Sequence, residues 1–135
     1  MEILEQLGRQ PVLPIINLLK PKNTIQTVEA LQNGGVKNLE ITLRNDFALS
    51  VLKSIRIEFP DLMLGAGTIL KEQQIDQLQE IGIQFGVSPV WNQNIWEKAV
   101  KNNFFLIPSV LTPSELNRAV NCECRLVKVF PIEPI

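Results

Sequence analysis

Apolar runs and amphipathic stretches alternate along this chain at a nearly constant step, and that rhythm is its strongest constraint on a fold. Six runs read as strands, at residues 12–16, 38–43, 63–66, 85–88, 105–108 and 126–130, with starts 26, 25, 22, 20 and 21 residues apart. Several are apolar almost throughout, as strands covered on both faces are. Between them the apolar period becomes that of a helix. Residues 24–32 place Ile25, Val28 and Leu31 on one face and stop at Gly34-Gly35. Residues 47–59 do the same with Leu49, Leu52, Ile55 and Phe59 before Pro60, and residues 72–81 with Ile75, Leu78 and Ile81 before Gly82. Segments 92–100 and 114–120 complete the series, and Thr112-Pro113-Ser114-Glu115 reads as a helix start with a capping box and an early proline.

Five strand–helix units and a sixth strand predict an α/β fold with a parallel sheet and right-handed crossovers. An open doubly wound sheet and a (β/α)8 barrel both satisfy that pattern. At the observed step, eight units would need roughly 180 residues, whereas this chain has 135. A barrel reading therefore carries the expectation of an incomplete barrel, about six strands and five helices, in a C-terminally truncated chain. No linker or low-complexity stretch divides residues 1–135, which read as a single partial domain.

Composition removes whole classes of function. Thirteen Lys+Arg balance 14 Asp+Glu, with no basic run, so no nucleic-acid partner is expected. The chain has no His, which excludes His-dependent zinc sites, Ser-His-Asp triads and Cys-His dyads built from its own residues. No apolar run approaches the roughly 20 residues of a membrane helix, so no membrane association is expected. The acidic start Met1-Glu-Ile-Leu-Glu5 does not read as a secretory signal. Cys122 and Cys124 are too close for an unstrained disulfide and make a poor metal site, so reduced thiols and a cytoplasmic setting are expected.

Three segments stand out chemically. In Asn38-Leu-Glu-Ile-Thr-Leu-Arg44, alternation sets Leu39, Ile41 and Leu43 on one face and Glu40, Thr42 and Arg44 on the other. The polar line fits an exposed edge strand or a Glu–Arg ion pair. It fits equally a site at the carboxyl end of the strand, where Arg44 would bind an anion. In Leu126-Val-Lys-Val-Phe130, Lys128 is either a snorkelling guard of an edge strand or a desolvated nucleophile able to form a Schiff base. Gly65-Ala-Gly-Thr68 closes the third strand. It reads as a tight turn before a helix, or as backbone shaped to approach a ligand with Thr68 as cap or anion contact. Trp91 and Trp96 read as helix packing.

Together these segments resemble the family of 2-keto-3-deoxy-6-phosphogluconate (KDPG) and 4-hydroxy-2-oxoglutarate (KHG) aldolases. The resemblance runs in order through Pro11-Val-Leu-Pro-Ile-Ile16, Gly34-Gly-Val36, Leu39-Glu-Ile-Thr-Leu-Arg44, Gly65-Ala-Gly-Thr68, Ser88-Pro89, Ile107-Pro108, Thr112-Pro-Ser-Glu-Leu116 and Val127-Lys-Val-Phe-Pro131. It implies a (β/α)8 barrel, usually a homotrimer, acting on a small keto acid in Entner–Doudoroff-type metabolism with no cofactor and no metal. Lys128 stands where the Schiff-base lysine belongs. Glu40 matches the general acid/base, Arg44 and Thr68 the pyruvate carboxylate site, and Pro89 and Phe130 the pocket wall. Products would be pyruvate with glyceraldehyde 3-phosphate or glyoxylate. The sequence departs from the family pattern at Asn17, Val90 and Ser109, which stand where Arg, Gly or His, and Gly occur, and it lacks the Gly-rich phosphate loops of strands 7 and 8. A weakly active or inactive fragment is therefore the alternative expectation, and an open-sheet phosphate-binding module a more distant one.

Overall fold

A computed structural model describes residues 2–17 and 21–133. The chain runs α1 (Ile3–Arg9), β1 (Ile15–Ile16), a 3-10 turn (Pro21–Asn23), α2 (Thr24–Asn33), β2 (Asn38–Thr42), α3 (Ala48–Glu58), β3 (Met63–Gly67), α4 (Glu72–Glu80), β4 (Phe85–Val87), α5 (Gln93–Lys101), β5 (Phe105–Ile107), β6 (Ser109–Val110), α6 (Pro113–Asn121) and β7 (Lys128–Val129). Five of the helices lie where the apolar period puts them. The predicted start of α6 is a capping box: Thr112 Oγ1 accepts from the Glu115 amide, and Glu115 Oε2 accepts from the amides of Leu111 and Thr112.

Strands β1 to β5 form one parallel sheet in sequential order, and β6 and β7 form a second parallel pair. A doubly wound sheet needs a reversal in strand order and helices on both faces. Among the described residues the strand order shows no reversal, and the crossover helices lie on one face. Leu39, Ile41, Leu64, Ala66 and Leu106 meet residues of α2, α3, α4 and α5 in one buried cluster, so these helices cover one face. On the opposite face Met63, Phe85, Val87 and Ile107 pack with Ile3 and Leu7 of α1. This is barrel architecture, with α1 lying across the inner face.

Several boundaries differ from expectation, among them the sixth strand, expected at 126–130 and paired only at Lys128–Val129. The first strand shrinks from 12–16 to two residues because Pro11 and Pro14 have no amide to give a ladder, although Pro14 O still accepts from the Glu40 amide at 2.9 Å. Expected strand 105–108 continues past Pro108 and changes partner, from β4 to β7. Helix α1 was not expected, and its signal is the modest i,i+4 pair Ile3 and Leu7. Beside the apolar contact of that pair, polar bonds tie this segment to the sheet. Gln10 Oε1 accepts from the amides of Lys37 and Asn38, and Gln6 Nε2 reaches the wholly buried Asn38 side chain at 3.5 Å.

Candidate active site

Parallel neighbours in register share a face, and the register aligns Ile15, Glu40, Gly65, Phe85 and Phe105 across the sheet. Glu40 thus belongs to the inner face. Its strand is no exposed edge: β2 lies between β1 and β3, and all five of its residues are buried. The alternative ion pair is also absent. Among the described residues the ion pairs are Arg9–Glu5, Lys98–Asp76 and Arg125–Glu2.

The third strand, expected at 63–66, runs on through Gly67, so both glycines of Gly65-Ala-Gly-Thr68 are strand residues and the turn is later than expected. What they supply is room. A Cβ on Gly65 would lie 2.2 Å from the Phe85 ring, and one on Gly67 would lie 1.9 Å from Glu40 Oε1. The Glu40 carboxylate therefore rests directly on the Gly67 backbone, 3% exposed. The turn proper begins at Thr68, whose φ of 64° is left-handed, a costly conformation for a β-branched residue. That conformation sets the Thr68 hydroxyl within 3.4 Å of Arg44 Nε, which donates to it from the exposed end of the β2 segment.

Lys128 stands on β7, which among the described residues pairs with β6 alone. It is half-buried, and its ammonium sits 4.7 Å from the centroid of the Phe130 ring. Burial pushes the Glu40 carboxyl above the ordinary carboxylate range, while the charges of Lys128 and, less strongly, Arg44 pull it back. Both cations thus act on one buried carboxyl. Pro89 is half-buried in a turn held by Ser88, whose Oγ donates to Val90 O at 2.9 Å. Thr42 Oγ1 donates to Asn17 Oδ1 at 3.3 Å, so Asn17 closes the β1 side of this group.

Other features lie away from Glu40 and Lys128. Trp91 and Trp96 stack at 5.5 Å, as packing aromatics do. Both cysteines are free, and Cys124 Sγ donates to Leu126 O. A cleft of about 360 Å³ opens beside Arg44 and Asp46, and another of about 580 Å³ lies between Trp96, Cys122 and Leu126. Neither contains Glu40 or Lys128. Sequence reasoning missed Ser109 as anything but a departure: it is 2% exposed and donates to Ser88 O at 2.7 Å. A serine inside an apolar strand end was its available signal.

Comparison with known proteins bears on the whole arrangement. The family model "Aldolase: KDPG and KHG aldolase" matches residues 3–135. A 2-dehydro-3-deoxy-phosphogluconate aldolase of Treponema pallidum is 34% identical over 97% of this chain and 62% of its own length. The KHG/KDPG aldolase of Escherichia coli K12 is 36% identical over 91% of this chain and 58% of its own. The chain thus spans about three-fifths of the length of these relatives. Among solved structures, KDPG aldolase from Legionella pneumophila, with pyruvate captured at low pH as a covalent carbinolamine intermediate, superposes with a TM-score of 0.86 at 32% identity, covering 90% of this chain and 59% of that one. A sequence match over nearly every residue and the same backbone path agree: the chain belongs to the family of KDPG and KHG aldolases.

Proposed function

We propose that these residues form the pyruvate half of a Schiff-base aldolase site. The carrying observation is the buried Glu40 carboxyl, raised by burial and facing the charge of Lys128, with Arg44 and Thr68 joined at the rim. Arg44 and the Thr68 hydroxyl bind the substrate carboxylate, which points the 2-keto carbon at Lys128. Neutral Lys128 Nζ attacks that carbon to give a carbinolamine. A proton from Glu40 lets its hydroxyl leave as water, and a protonated imine forms. Glu40, now ionised, takes the proton of the C4 hydroxyl. The C3–C4 bond breaks, its electrons pass to the imine as an enamine, and an aldehyde departs. Reprotonation at C3 and hydrolysis release pyruvate and restore Lys128. Pro89 and Phe130 wall the reacting carbons.

A burial-raised carboxyl suits both proton transfers, since it holds and yields a proton nearer neutrality. Names of the relatives support two substrates: the phosphogluconate derivative, cleaved to pyruvate and glyceraldehyde 3-phosphate, and 4-hydroxy-2-oxoglutarate, cleaved to pyruvate and glyoxylate. A homotrimer acting in the cytoplasm without a cofactor completes the proposal, and no helix among the described residues is long and apolar enough to cross a membrane. The second reading is a weakly active or inactive fragment of such an aldolase.

Pyruvate trapping separates the two. The chain is incubated with pyruvate, reduced with borohydride and mapped by peptide mass spectrometry. An adduct on Lys128, lost in Lys128→Ala, is expected. A folded chain that gives no adduct would favour the fragment.

A further inference from the structure

The strand leading to Lys128 is joined to the rest of the sheet at one place. Up to Ile107 the chain pairs with β4, and from Ser109 it pairs with β7. The β4 side ends with Val87 opposite Ile107 and a bond from the Ser88 amide to Ile107 O at 3.0 Å. Beyond that point the backbones part. The Ser109 hydroxyl then reaches across to Ser88 O at 2.7 Å, with both residues buried. Ser109 stands opposite Lys128 in register, and the preceding Pro108 O accepts from the Lys128 amide at 2.9 Å. Among the described residues β7 has no strand neighbour but β6.

A side-chain hydrogen bond here does what the ladder cannot. On the β4 side the ladder ends at Ile107, because the next residue, Pro108, turns its carbonyl to β7. One hydroxyl bridges the gap and also holds the carbonyl that precedes Pro89. It ties β6, the strand paired with that of the nucleophile, to the residue that precedes Pro89.

We infer that Ser109 is a positioning residue that sets Lys128 against Glu40 and Pro89 by fastening β6 to the end of β4. The inference rests on Lys128 being the imine-forming lysine. Since about 1 Å of misplacement can cost on the order of 100-fold in rate, Ser109→Ala lowers the maximal rate of pyruvate trapping about 10- to 100-fold. The pyruvate concentration for half-maximal rate, set by Arg44 and Thr68, stays within about twofold.

Borohydride trapping is run against pyruvate concentration for the wild type, Ser109→Ala, Ser109→Cys and Ser109→Thr, with circular dichroism confirming each fold. Ser109→Cys keeps the volume without the short bond and serves where alanine collapses the strand. It should fall with alanine, and threonine, which keeps the hydroxyl, should recover most of the rate. A loss of rate without a change in half-saturation, rescued by threonine, supports the inference. Equal maximal rates in wild type and Ser109→Cys overturn it while leaving the aldolase reading intact. No adduct on the wild type overturns both.

Discussion

Gly65 and Gly67 lie two residues apart on one strand and face the same way, yet replacing each with alanine should damage different properties. On Gly67 the new methyl would lie 1.9 Å from Oε1, 2.8 Å from Cδ and 3.2 Å from Cγ of Glu40. Ordinary contact is roughly 3.5 Å, so the carboxylate must retreat by roughly 1.5 Å. It is the far end of a flexible side chain, and rotation about χ angles achieves this cheaply; about 1 kcal/mol of stability should be lost, the low end for overpacking. The catalytic price is larger, because a shift of that size in a proton-transfer group costs on the order of 100-fold. On Gly65 the methyl would lie 2.2 Å from two carbons of the Phe85 ring, which is 0% exposed and packed in the inner cluster. A ring so enclosed has nowhere to turn, and about 3 kcal/mol or more should be lost. Urea melts and pyruvate trapping rates on both variants measure the contrast. The reasoning fails if Gly67→Ala traps pyruvate at the wild-type rate, or if it is destabilised as much as Gly65→Ala.

Substitutions at Glu40 itself and at Arg56 test burial electrostatics and hydrogen bonding. Because burial raises the Glu40 carboxyl, the folded state holds its proton more tightly than the unfolded state; the stability it contributes is full below the ordinary carboxyl range and is lost as pH rises through the raised value. Glu40→Gln should therefore gain in urea midpoint relative to wild type as pH rises from about 4 to about 8, while trapping is slowed at every pH; a difference independent of pH would contradict it. Arg56 donates to Gln84 Oε1 and to the carbonyls of Phe59, Pro60 and Leu62 at 2.6–2.8 Å, fastening the end of α3 to β3. Arg56→Ala should cost about 2–3 kcal/mol in chemical denaturation, and Arg56→Lys should recover less than half, since an ammonium cannot fork to four acceptors.

Helices α2 to α6 were legible because their determinants are local. Ile75 and Leu78 mark the buried side of α4, and Thr112 with Glu115 marks the start of α6, without reference to any other element. The polar line of β2 was legible as an oddity, and Glu40 proves to be its buried centre. Other features depend on a neighbour far along the chain. No local pattern shows that strand 105–108 would exchange β4 for β7, nor that Ser109 would find Ser88.

Register explains why the glycines were misread. Predicted starts 38 and 63, and 85 and 105, are true partners in the sheet, so for those pairs the spacing in sequence is also the alignment in space. Between β3 and β4 it is not: Gly65 pairs with Phe85, a separation of 20, where the predicted starts are 22 apart. The β6–β7 pair shows the same two-residue slip, with Ser109 opposite Lys128 at a separation of 19 against a step of 21. A slip of two keeps every side chain on its face, so the apolar pattern cannot report it. It does change who stands beside whom. Aligned by their starts, Phe85 would lie opposite Met63, and Gly65 would face no large ring. Staggered by two, Phe85 needs the space over Gly65. Closing a sheet into a barrel requires such stagger. The absent Cβ of Gly65 is therefore a consequence of that stagger and makes room on the inner face for Phe85, whereas Gly67 makes room for the Glu40 carboxylate across the unstaggered β2–β3 pair.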